Sequence, residues 1–230
     1  MKMNDSDHRK FWGWPGAKNL AYAYFVLGIP SFAWFAFVYA GADYWTGMHQ
    51  YRVPLYHSAE LSIPLIPATT VFYNSLHFIY AVAPFILRTR REMNALAVVW
   101  FLMTLIGGIC FLVIPFEPGF PPPEPASMGI WRGMYEFADS ANLRFNCCPS
   151  LHVAWGVATL DVYARSAGRA GSAFLWSWCG GLSLSTLLLH QHHVIDVIGG
   201  LALAWWGSRI LFPAFQRRFW LRDQSPESQS

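Results

Sequence analysis

Apolar positions run almost unbroken through six stretches of the chain, 20–40, 61–87, 95–115, 150–164, 173–189 and 194–212, each bounded by charge, proline or glycine. Runs of roughly 20 apolar residues match the helix length that crosses a bilayer core. Lipid offers no partners to backbone N–H and C=O groups, so such segments must satisfy their own and become helices. The pattern therefore predicts an all-α protein, a six-helix transmembrane bundle over 19–212 with tails at 1–18 and 213–230. The fourth stretch is the shortest and carries His152 and Asp161.

Composition agrees with this. Of 230 residues, 54% are hydrophobic and only 13% charged, with mean hydropathy +0.28, outside the balance of ordinary soluble domains. With the N-terminus inside, all of the 16 Lys and Arg except Arg52, Arg132 and Arg144 fall on cytoplasmic pieces, as the positive-inside rule requires. Both termini are expected in the cytoplasm of a bacterial inner membrane, with loops 41–60, 116–149 and 190–193 facing the periplasm or exterior. The net charge of +3 then reports topology and not a nucleic-acid partner. The first stretch exceeds the apolar core of about 7 to 15 residues found in signal peptides, so it is expected as a retained helix despite Ala40-Gly41-Ala42. Cys110 and Cys179 read as small core residues, and the adjacent Cys147 and Cys148 make no disulfide framework. Trp12, Trp14, Trp45, Trp131 and Trp220 lie near span ends as interfacial aromatics. The polar end from Gln224 reads as disordered.

Two polar clusters interrupt the apolar pattern on the same predicted side. In CCPSLHVAW, 147–155, Pro149 starts a helix whose first turn holds Ser150 and His152. A helix start offers N–H groups and partial positive charge to an anion. In STLLLHQHHVIDV, 185–197, a helix beginning near His192 puts His192 and Asp196 on one face. A carboxylate on one ring nitrogen orients the imidazole and leaves the other free to attack. His152 opposite can protonate the departing oxygen. This set suits phosphoryl transfer with no metal and no cofactor. The long loop between spans three and four opens on Pro118, Pro121, Pro122, Pro123 and Pro125, which forbid a regular helix there.

Pro149-Ser150-Leu151-His152 resembles the PSxH motif of the type 2 phosphatidic acid phosphatase (PAP2) superfamily. Ser185-Thr186, followed after five residues by His192 and after three more by Asp196, resembles its third motif, S-R-x5-H-x3-D. The resemblance implies the six-helix membrane fold, a phosphohistidine intermediate at His192 assisted by Asp196, His152 as general acid, Ser150 as phosphate ligand and a membrane lipid phosphate or diphosphate as substrate. The pattern departs in two places. FEPGFPPPE lacks the basic first motif, and Thr186 stands where the third motif has arginine. Arg144, Arg132 and His190 are the candidate replacement cations. The lost arginine is similar to the subgroup with sphingolipid head-group transferases, so head-group transfer stands beside hydrolysis. A metal site from His190, His192, His193 and Asp196 is a third reading, disfavoured because 190 and 192 cannot share a helical face. Asn74 and His77 are expected to hydrogen-bond between helices, and Asp161 to pair with Arg165 four residues on.

Overall fold

A computed structural model describes residues 16–87, 89–140 and 142–223. Lys2, Arg9, Lys10, Trp12, Trp14, Arg88 and the end from Gln224 lie outside the described residues. The described chain is helical throughout and contains no strand, only one isolated bridge between Val53 and Phe116. Its helices are α1, Ala17–Gly47; α2, Thr70–Ala81; α3, Ala83–Ile86; α4, Arg90–Val113; α5, Arg132–Ser140; α6, Leu151–Ala164; and α7, Arg169–Leu188. The last, α8, starts at Val194 and continues through a π-helical stretch, Trp206–Leu211, into Phe212–Asp223.

Three helices, α1, α4 and α8, are long and apolar enough to cross a membrane. Of the other elements expected to cross, α6 has 14 residues, about 21 Å at 1.5 Å per residue against a hydrocarbon core of about 30 Å. The second apolar run is also shorter than expected. Pro64 and Pro67 carry no N–H, so residues 61–69 form short turns and α2 begins only at Thr70. The outer surface is apolar in the way lipid demands, with Phe25, Phe32, Phe37, Phe78 and Val113 all strongly exposed.

Proline also explains the wide turns inside two long helices. The π-helical stretches Tyr22–Gly28 and Trp206–Leu211 each end two residues before a proline, Pro30 and Pro213. Proline leaves the carbonyl four residues back without its donor and crowds it, and a locally wider register relieves the clash. At Val82 the helix breaks outright before Pro84, and the N–H of Phe85 turns to the Val82 carbonyl.

Helix α6 is the centre of the bundle. Every one of its residues except His152 is buried, as expected of a helix apolar on all sides. Helices α7, α8, α4 and α2 pack around it, and α1 packs on α4. Asp161 is buried on α6 and is more than a local pair with Arg165. It bonds Arg165 at 3.0 Å and also Arg209 of α8 at 2.7 Å, and Arg165 donates to the Ser208 carbonyl. Cys179 is buried and Cys110 only half-buried, so the expected core role holds for the first alone. Asn74 bonds across to the Met134 carbonyl of α5 as expected, but His77 bonds back within its own helix to the Asn74 carbonyl.

Close helix approach depends on glycine. A Cβ on Gly200 of α8 would stand 2.7 Å from the backbone oxygen of Ser150, and on that side there is no flexible side chain to yield. Gly200→Ala is expected to lower stability in detergent by about 1 to 3 kcal/mol. Thermal unfolding of the purified variant measures this, and an unchanged midpoint would refute the close packing of α8 on the start of α6.

Candidate active site

The starts of α6 and α8 meet. The Ser150 N–H donates to the Asp196 carbonyl at 2.9 Å. Ser150, fully buried, is the N-cap of α6: its Oγ accepts from the Val153 N–H at 3.3 Å. The helix thus begins at Leu151 and not at Pro149. On α8 the cap is His193, and its backbone N–H donates to Asp196 Oδ2 at 2.8 Å. Asp196 is fully buried.

His192 stands beside this carboxylate. Its Nδ1 lies 3.4 Å from Asp196 Oδ2, too poorly placed to be a hydrogen bond. Neither His192 Nδ1 nor Asp196 Oδ1 has a hydrogen-bond partner among the described residues. His152 is held on the other side. Its ring stacks on Tyr73 of α2 at 3.7 Å between centroids, and Nε2–H donates to the Tyr73 carbonyl at 3.0 Å. A carbonyl only accepts, so the neutral imidazole carries its proton on Nε2 and leaves Nδ1 open.

Both histidines open into one cavity of about 430 Å³. Its upper end also contains Asn142 and Asn146, and below the histidines it runs between α1, α2 and α4 down to Ala23, Leu27, Pro84 and Met93. The Tyr73 hydroxyl donates to Asn142 Oδ1 at 2.9 Å, and Asn142 Nδ2 donates to Gln191 Oε1 at 2.6 Å. These amides bind the 142–146 segment to the turn before His192. Tyr73, Asn142, Asn146 and Gln191 went unnoticed in the sequence. Tyr73 alone left a trace there, one helical turn before the polar His77.

The remaining candidates are placed elsewhere. None of the cavity-lining residues is Lys or Arg. Arg144 is exposed, with its guanidinium 5.9 Å from the Phe145 ring centre, and Arg132 is paired with Glu136 on the surface at 2.6 Å. His190 adopts φ +58 at the end of α7, stacks on Phe120 and donates from Nε2 to the Ile63 carbonyl. It closes a helix instead of facing the cavity. Ser185 and Thr186 are fully buried, and their hydroxyls bond back to the carbonyls of Leu182 and Ser183. Thr186 still matters, because its carbonyl accepts from the N–H of both Gln191 and His192 and so shapes the turn that presents His192. Among the described residues no three His, Cys, Asp or Glu side chains gather in a way that could hold a metal ion.

This helical, membrane-compatible fold with two histidines facing one chamber defines a class, and the comparison with family models gives it a name. A model of the PAP2 superfamily matches residues 54–210, from the loop before α2 into α8, and the chain belongs to that superfamily of phosphatase-type enzymes. No curated protein and no solved structure matches the chain.

His193 ties the loops that carry Tyr56, Glu60 and Gly119 together beside the site. Its ring is stacked between Tyr56 and Phe120, each at 4.5 Å. Nε2 accepts from the Gly119 N–H at 3.3 Å, which places the ring proton on Nδ1, 3.2 Å from Glu60 Oε2. Burial holds the His193 pKa below its ordinary value, against the pull of Asp196 and Glu60. Burial would raise Glu60, but the N–H groups of His57 and Val194 and the His193 ring outweigh it and hold the carboxyl low. Both folded values lie below the unfolded ones, so each group's contribution is present above its unfolded pKa and lost as pH falls. Gly119 keeps its acceptor at about pH 6.5, where a free histidine charges, and is expected to lose it only at lower pH, as the titration passes through the depressed folded value of His193. Its hydrogen-exchange protection, corrected for intrinsic rate, should then drop while α6 amides hold; protection that persists down to the pH at which the α6 amides themselves begin to exchange would refute the junction.

Proposed function

We propose that the chain is a six-crossing membrane enzyme over 19–212, with its 1–18 and 213–230 tails cytoplasmic, that removes phosphate from a lipid phosphate or diphosphate at the periplasmic or outer face. The reaction runs through a phosphohistidine at His192 and needs no metal. The observation that carries this reading is the convergence of His152 and His192 on one mostly apolar cavity, with buried Asp196 against the second.

The steps follow from the groups present. A small rotation turns the 3.4 Å contact into an Nδ1–H···Oδ2 bond, which keeps the Nδ1 proton in place and the other ring nitrogen basic. The Nε2 lone pair attacks phosphorus, an N–P bond forms and the P–O bond to the leaving group breaks. His152, neutral at rest with its Nε2–H held by Tyr73, takes up a proton on Nδ1 from solvent as the anionic phosphate binds, and gives that proton to the departing oxygen. Neutral His152 then takes a proton from water as it attacks phosphorus, the N–P bond breaks and phosphate is released. The Ser150 hydroxyl and the N–H groups of Leu151 and His152 are the donors offered to the phosphate oxygens, those of Ser150 and Val153 being already bonded.

Head-group transfer is the second reading. A cavity lined mostly by apolar side chains with no Lys or Arg admits a lipid hydroxyl as readily as water, and a hydroxyl attacking the same phosphohistidine yields a new phospholipid.

His192→Ala is expected to abolish phosphate release by three orders of magnitude or more, as loss of a covalent nucleophile does, with insertion and thermal unfolding preserved. The assay follows free phosphate and lipid species together, with acid-labile phosphoprotein trapped during turnover. Wild-type-like rates in the variant, or phosphate trapped on another residue, would overturn the assignment. Appearance of a new phospholipid without free phosphate would select transfer over hydrolysis.

A further inference from the structure

The cavity below the histidines carries polar groups that the phosphoryl chemistry does not use. Tyr80 on α2 and Trp155 on α6 both line it. The Tyr80 hydroxyl and the Trp155 Nε1 are buried and have no hydrogen-bond partner among the described residues. Their rings are packed in place, Tyr80 edge-on to both Trp155 and Trp100 and the two indoles stacked at 5.3 Å. Two oriented donors left without acceptors in an apolar wall each cost about 1 to 3 kcal/mol, and such groups call for a functional explanation.

Their depth indicates what they meet. Trp155 is three residues below His152 on α6, a drop of about 4.5 Å, and Tyr80 is seven residues below Tyr73, the stacking partner of His152, a drop of about 10 Å. A donor pair one to two turns beneath the phosphate lies where an acyl-linked lipid has its carbonyl oxygens. Below the pair the lining mixes small residues, Ala23, Gly28 and Ala97, with the apolar side chains of Leu27, Met93 and Leu96, a surface suited to a hydrocarbon tail. Along α1 the lining runs from Tyr39 to Ala23, about 24 Å at 1.5 Å per residue. Tyr24 closes the far end by donating to the Ala81 carbonyl, which the break before Pro84 leaves available.

We infer that the substrate is an acyl-linked lipid phosphate, ester or amide, whose carbonyl accepts from Tyr80 Oη–H and Trp155 Nε1–H while its tail descends along α1 inside the bundle. The inference rests on the His192 reading for the position of the phosphate. It excludes isoprenoid phosphates and alkyl ethers as preferred substrates, since an isoprenoid has no acceptor at that depth and an ether oxygen is a weaker acceptor that lacks the projecting carbonyl.

The test compares three phosphate monoesters of equal length, an ester-linked acyl lipid, its ether analogue and an isoprenoid, with full-length protein in nanodiscs. Wild type is expected to favour the ester in kcat/KM by about tenfold, the scale of one or two neutral hydrogen bonds. Tyr80→Phe and Trp155→Phe should each reduce that ratio severalfold and together bring it near unity. Equal turnover of ester and ether by the wild type, or a ratio indifferent to both substitutions, overturns the inference. Binding of the same three lipids to His192→Ala protein, which needs no turnover, separates this result from failure of the phosphatase reading. Ester preference there sustains the carbonyl site even if the chemistry differs, and equal affinities sink it even if hydrolysis is confirmed.

Discussion

One backbone hydrogen bond organises the site, from the Ser150 N–H to the Asp196 carbonyl. It joins the first residues of two helices that are more than 40 positions apart in the chain, and it exists only because Gly200 lets α8 approach the Ser150 oxygen closely. With that crossing fixed, Ser150 caps α6 and turns His152 toward Tyr73, and Asp196 accepts from the N–H of His193, the cap of α8, and stands beside His192. Two separate motifs become one chamber because two helix starts share a contact. A side chain larger than hydrogen at position 200 would part them.

The polar groups of so apolar a protein divide into two kinds. Most are paired, and the pairing is structural: Asp161 with two arginines between α6 and α8, Trp100 with Thr159, Tyr163 with the Ile79 carbonyl, Thr46 with the Phe111 carbonyl. Unpaired buried groups are fewer, and several border the cavity: His192 Nδ1, Asn146 Oδ1, Tyr80 Oη and Trp155 Nε1, with Asp196 Oδ1 just behind. Leaving a buried donor or acceptor without a partner is costly, so their concentration in one chamber marks it as a place prepared for a polar ligand. The cost is tolerable because the surrounding aromatic packing holds the groups in place.

Proline has a second organising role. Pro30, Pro84 and Pro213 each remove an N–H from a helix, and the structure responds with a π-helical stretch, a break and another π-helical stretch. Two of these, at Tyr22–Gly28 and Val82, flank the lower end of the cavity, and the carbonyl left over at Ala81 becomes the anchor for Tyr24. The width of the cleft there follows from backbone chemistry and not from large side chains.

Much of this was readable beforehand. Apolar runs fix helices because lipid leaves the backbone no alternative. But α8 starts at Val194 and not near His192, so His192 lies in the turn before the cap. The turn held by the Thr186 carbonyl, not a shared helical face, brings it beside Asp196. The PSLH and STx5Hx3D patterns pointed to the candidate site, since their spacing is local. Other features were not readable. Arg144, His190, Ser185 and Thr186 carry the right chemistry for a phosphate, yet the tertiary structure turns Arg144 to the surface, sets His190 in a helix-closing turn and folds both hydroxyls back onto their own helix. Tyr73, Asn142 and Gln191 reach the site from distant segments through a loop whose register no periodicity specifies. The local sequence determined which groups could act, because backbone geometry links neighbours directly. Which of them face the chamber was decided by how helices cross, and that depends on contacts between residues far apart in the chain.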